Sequence, residues 1–151
     1  MNRLLLLAVI ISAAIVYAEP PQYMRDKTGK LSGSATVNGN NTTYRDSSGR
    51  LSGTSNTQGN RTTFRDSTGR MSGTATVQGN RTTYRDSSGR LSGTSEISGN
   101  RTIYRDRSGK MIGTADVNGN RTTFRDASGR TIGTSDNANP STAAPRYFFH
   151  K

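Results

Sequence analysis

Nine arginines in two rows are the side chains of this sequence best placed to do chemistry. Arg45, Arg65, Arg85, Arg105 and Arg125 stand 20 residues apart, and so do Arg61, Arg81, Arg101 and Arg121. A guanidinium is always charged, and its planar fork of donors matches phosphate and carboxylate oxygens. Rows of guanidinium groups at one spacing point to the gripping of an anionic polymer without sequence preference. The chain of 151 residues carries 21 Lys and Arg against 10 Asp and Glu, a formal charge of +11. Such a surface draws nucleic acid, anionic lipid headgroups or acidic polysaccharide. It also keeps a repetitive chain in solution, which is the plainer reading of the same charge.

Other chemistry finds little to work with. The one histidine, His150, sits next to the last residue, after a segment rich in Ala, Ser and Pro. A Ser–His–Asp arrangement needs a scaffold to hold its members together, and that segment offers none. Asp26, Asp46, Asp66, Asp86, Asp106 and Asp126 fall in turn sequences, where a carboxylate bonds its own backbone. Asp-Ser-Ser-Gly lacks the several carboxylates that a Ca²⁺ loop gathers. With no Cys there is neither a disulfide nor a thiolate. The expectation is a protein that is not an enzyme, with no catalytic residue, no cofactor, no metal and no small-molecule substrate.

The arginine rows need elements to carry them, and the sequence supplies six near-copies of a 20-residue unit. Gly29, Gly49, Gly69, Gly89, Gly109 and Gly129 keep the period, as do Asn40, Asn60, Asn80, Asn100 and Asn120. Each unit holds two turn signals about ten residues apart. One is Asp-Ser-Ser-Gly or a near variant, and the other is a Gly preceded by Asn, Gln or Ser. Between the turns lie Thr, Tyr, Phe, Val and Ile, which suit a pleated strand. The fold expected is all-β, an array of antiparallel hairpins, with a β-solenoid as the alternative.

A register follows. A two-residue turn at Asn38-Gly39 sets Ala35 against Thr42 and Gly33 against Tyr44. A four-residue loop from Ser47 to Arg50 sets Asp46 against Leu51 and Tyr44 against Gly53. Tyr44 then lies between two glycines, a known device for protecting strand glycines. One face carries the aromatics with Leu or Met, Ala or Ser, and Val or Ile. The other carries Arg61, Thr63, Arg65, Ser72, Thr74 and Thr76. Each unit has about three sizeable apolar side chains to bury, too few to stand alone, so neighbouring units must support one another.

The run Gly79 to Leu91, Gly-Asn-Arg-Thr-Thr-Tyr-Arg-Asp-Ser-Ser-Gly-Arg-Leu, resembles the Rhs/YD repeats of bacterial surface and toxin proteins. The likeness extends over residues 24–135. It implies hairpins arrayed side by side and a bacterial, exported setting. The sequence departs from the family in one place, because Arg85 separates Tyr84 from Asp86. It also lacks the length with which family members wind into a shell around a toxic domain.

Arg3 followed by the apolar run Leu4 to Val16 reads as a secretory signal peptide, with cleavage after Ala18. The expected organisation is a signal peptide over 1–18, a linker over 19–23, a repeat domain over 24–136 and a tail over 137–151. The expected location is periplasmic or secreted. The sequence thus predicts an exported, non-catalytic binding or scaffold module that contacts anionic polymers through its arginine-lined face. The alternative is self-association into a curli-like structural fibre.

Overall fold

The computed structural model describes residues 20–136. The signal peptide and the tail predicted from the sequence lie outside that range. Twelve strands follow one another: β1 (Gln22–Asp26), β2 (Leu31–Asn38), β3 (Asn41–Asp46), β4 (Leu51–Gln58), β5 (Arg61–Asp66), β6 (Met71–Gln78), β7 (Arg81–Asp86), β8 (Leu91–Ser98), β9 (Arg101–Asp106), β10 (Met111–Asn118), β11 (Arg121–Asp126) and β12 (Thr131–Asp136). Each pairs antiparallel with its sequence neighbours, and β1 pairs with β12 to close a barrel. The seam sets Met24 against Ser135 and Asp26 against Gly133. The all-β hairpin array is therefore present, but as a closed barrel rather than a solenoid. Closure leaves no described strand with an unpaired edge.

The short turns centre one residue later than the sequence suggested. Gly39-Asn40 forms the turn, so Asn38 faces Asn41 and Ala35, not Gly33, faces Tyr44. Gly39 takes φ 56, in the left-handed region that favours glycine. The shift leaves Asn40 with its carbonyl accepting the Thr57 amide at 2.8 Å, and Asn60, Asn80 and Asn100 likewise tie their turns to the next hairpin.

The longer loops also differ. Asp46 pairs with Arg50 across three residues, Ser47 to Gly49, and not across four. That loop sets Leu51 against Arg45, and a bulge at Ser52 then restores Tyr44 opposite Gly53. Two irregularities cancel for the aromatic but not for Leu51. The same pattern places Leu31, Met71, Leu91 and Met111 on the outer wall, exposed, instead of with the aromatics.

The interior is built in rings. Met24, Phe64, Tyr84, Tyr104 and Phe124 are buried, with Tyr44 partly so. Beside them stand Ala35, Ser55, Ala75, Ser95, Ala115 and Ser135, all buried. Each aromatic faces one of these small residues on one side and a strand glycine on the other. Tyr44 and Tyr84 meet the hydroxyls of Ser55 and Ser95 at 3.2 and 3.3 Å. Burial pushes both phenols above the ordinary tyrosine range, and it pushes Tyr104 further.

The strand glycine is required by more than the ring that covers it. A Cβ on Gly53 or Gly73 would sit 2.5 Å from the carbonyl oxygen of Arg65 or Arg85 on the next strand. Outward positions carry Thr43, Thr63, Arg65, Thr83 and Arg85 beside the exposed Leu51, Met71 and Leu91. No described helix is long and apolar enough to cross a membrane.

Candidate polyanion-binding end

Because the strands run up and down, alternate connections gather at opposite ends of the barrel. The six loops that begin with Asp crowd one end, while the short Gly-Asn turns and both ends of the described chain occupy the other.

Each Asp-led loop is a small hydrogen-bonded unit. In the fourth, Asp86 Oδ1 accepts from the Ser88 amide at 2.9 Å, the Ser88 hydroxyl at 2.7 Å and the Arg90 amide at 3.0 Å. The Gly89 amide donates to the Asp86 carbonyl, and Gly89 adopts φ 82. Arg85 Nη1 donates to the Gly89 carbonyl at 3.0 Å. Arg25, Arg45, Arg65, Arg105 and Arg125 brace their own loops in the same way. One of the five N–H donors of each guanidinium is thus committed to shaping the loop.

The Ser88 hydroxyl holds the Asp86 carboxyl below the usual aspartate range, and the Arg90 and Ser88 amides and the Arg90 charge act in the same direction. Asp26, Asp46, Asp66, Asp106 and Asp126 are lowered likewise, by Thr28, Ser48, Thr68, Ser108 and Ser128 first. A carboxylate whose pKa falls on folding stabilises the fold fully above its unfolded value, about 4. That support is lost as pH falls through the lowered folded values. The melting temperature is therefore expected to hold steady from neutrality to about pH 4 and to drop below it. Circular dichroism melts across that range check this, and a melting temperature unchanged down to about pH 2 would contradict the role given to the loops.

The loops concentrate the charge. Their end gathers fourteen Lys and Arg side chains, from Arg25, Lys27 and Lys30 round to Arg125 and Arg130, against six Asp, a net of +8. The opposite half carries four Arg against Glu96, Asp116 and Asp136, a net of +1. The two predicted rows consequently part company. Arg45, Arg65, Arg85, Arg105 and Arg125 belong to the loop end. Arg61, Arg81, Arg101 and Arg121 begin their strands at the other end.

Register sets acids against most of that second row, and two of those acids also lie 3.7 Å from loop-bracing arginines, Asp136 from Arg25 and Asp116 from Arg125. Arg81 faces Glu96, Arg101 faces Asp116 and Arg121 faces Asp136. Arg101 Nε bonds Asp116 Oδ1 at 2.6 Å. A single cationic lattice over one face, as the two rows suggested, is therefore replaced by one strongly basic end. Sequence reasoning missed a third set that belongs there: Lys30, Arg50, Arg70, Arg90, Lys110 and Arg130, all exposed. Each follows the loop glycine, and that constant place beside a turn was the available signal.

Among the described residues, no three His, Cys, Asp or Glu side chains come together to hold a metal ion. The chemistry this end offers is dense, exposed, positively charged donors on internally hydrogen-bonded loops. No protein-family model matches the chain, and no curated protein does. Among solved structures, the chain is similar to the X-ray structure of a protein from Arabidopsis thaliana, with 10% identity and a TM-score of 0.40, over 89% of this chain and 92% of that one.

Proposed function

We propose that the protein is an exported, non-catalytic binding module that holds anionic polymers against the six-loop end of its barrel. The observation that carries the reading is the polarity of charge, +8 at that end against +1 in the other half. The loops are shaped by Asp and Gly before any ligand arrives, so binding orders little backbone. Export, to the periplasm or beyond, rests on the N-terminal sequence. Kinship with the Rhs/YD repeats is part of the proposal, supported by the Asp-led, glycine-closed hairpins. The fibre alternative draws no support from a barrel in which each described strand is paired on both sides.

Affinity for heparin and for duplex DNA should fall linearly with salt on a double-logarithmic scale. Engagement of six or more anionic groups predicts a loss of about 10³ or more between 50 and 200 mM salt. Retention that ignores salt, or no retention at all, would overturn the reading.

A further inference from the structure

The outer wall beside the basic loops carries a ring of apolar side chains that no core uses. Leu31, Leu51, Met71, Leu91 and Met111 are 36%, 42%, 44%, 37% and 38% exposed. None belongs to the buried clusters. Each is paired across the ladder with a loop-bracing arginine, Arg25, Arg45, Arg65, Arg85 and Arg105 in turn. Each also directly follows the Lys or Arg that closes its loop.

The ring is a product of the register. The three-residue loop turns each of these residues outward, and the bulge after it returns the strand to its inward pattern. Bulges re-aim side chains in this way. Equivalent positions lie two strands apart, about 9.6 Å. Single exposed apolar residues are common on any surface. Five at one height, each between two cations, make an amphipathic girdle instead. The sixth unit has Thr131 at this position.

We infer that this end docks on an anionic lipid bilayer, an inference that rests on the polyanion reading above and names its partner. Charge complementarity selects an anionic surface, and the apolar ring selects one with a hydrocarbon layer beneath it. Heparin and DNA offer the first without the second. Each apolar residue lies one position behind its loop cation, about 3.4 Å along the strand. That short offset keeps ring and cations at nearly one level, so a docked end meets headgroups and the acyl boundary together, as amphipathic interfacial surfaces do. The long basic side chains can extend back to the phosphates while the ring descends. Gln22 and Asp136, where the described strands begin and end, lie at the other end of the barrel.

The test uses the whole protein with vesicles of phosphatidylcholine alone or with about one third phosphatidylserine, beside a heparin column. The protein should co-sediment with the anionic vesicles and not with the neutral ones. The triple variant Leu51→Thr, Met71→Thr, Leu91→Thr places the sixth unit's own residue at three exposed positions. It should lose vesicle binding about tenfold or more, with heparin elution unchanged. A parallel variant, Arg50→Gln, Arg70→Gln, Arg90→Gln, should weaken both. Circular dichroism confirms that each variant is folded, and a single Met71→Thr chain serves if the triple one is not.

Vesicle binding that survives loss of the ring would overturn the docking inference and leave the polyanion reading standing. Heparin binding with no vesicle binding would do the same. Failure to bind either would overturn both.

Discussion

Phe124→Ala should cost the barrel about 3–5 kcal/mol, the range for removing a buried aromatic. Phe124 is fully buried, between Ala115 on β10 and Gly133 on β12. Neither of these two neighbours has side-chain atoms to fill the space the ring would vacate. Most units place one large side chain in the interior, with Ala, Ser and Thr around it, and the partly buried Ile112 and Ile132 pack against the cluster that holds Phe124. Each ring is therefore a large share of the apolar burial. Against a typical domain stability of about 5–15 kcal/mol, one such loss takes about a fifth or more. Urea unfolding followed by circular dichroism gives the difference directly. A loss under about 1 kcal/mol would mean that the rings do not hold the barrel.

The second large effect falls on a residue with no side chain. Gly73→Ala should destabilise by about 1–3 kcal/mol, because the new methyl group meets a neighbouring backbone and not a movable side chain. Its Cβ would lie 2.5 Å from the Arg85 carbonyl oxygen. For that clash to be relieved, β6 and β7 must separate next to the bulge at Ser72. Gly79→Ala provides the contrast. Gly79 has open space around it but takes φ 60, so its cost is one of backbone conformation, about 1 kcal/mol. Paired unfolding curves separate the two causes. A neutral Gly73→Ala would show that the strands approach less closely than the barrel requires.

Much of this architecture was legible because the unit repeats. Asp and Gly at a fixed spacing located every loop, and the β-prone runs between them located every strand. The outward direction of Arg61 and Arg65 followed from alternation alone. The side of the sheet taken by Leu51 did not. In a strand one extra residue moves every later side chain to the other face. Here an extra residue at Ser52 undoes a shift made three residues earlier at the loop. Tyr44 opposite Gly53 agreed with the sequence reading only because two departures from it cancelled.

Closure was beyond local pattern for a different reason. It depends on β1 meeting β12, with Met24 against Ser135, from opposite ends of the described chain. Periodicity places neighbours, but it does not say whether the last strand returns to the first. The basic end was within reach of the sequence. A meander puts every second turn at the same end, and an Arg or Lys follows the glycine of each Asp-led loop. Joining the two rows into one face merged opposite ends of the barrel and left out the third row that follows the loop glycine.

The most direct test of the polarised barrel compares two variants that remove the same number of charges from opposite ends. One carries Arg50→Gln, Arg70→Gln, Arg90→Gln and Arg130→Gln. The other carries Arg61→Gln, Arg81→Gln, Arg101→Gln and Arg121→Gln. The salt concentration that elutes each from heparin is the measurement. The account predicts a large fall for the first set and little change for the second, whose arginines mostly face acidic partners across the sheet. Equal falls would show that net charge alone sets binding, and would contradict a binding end built by the six loops.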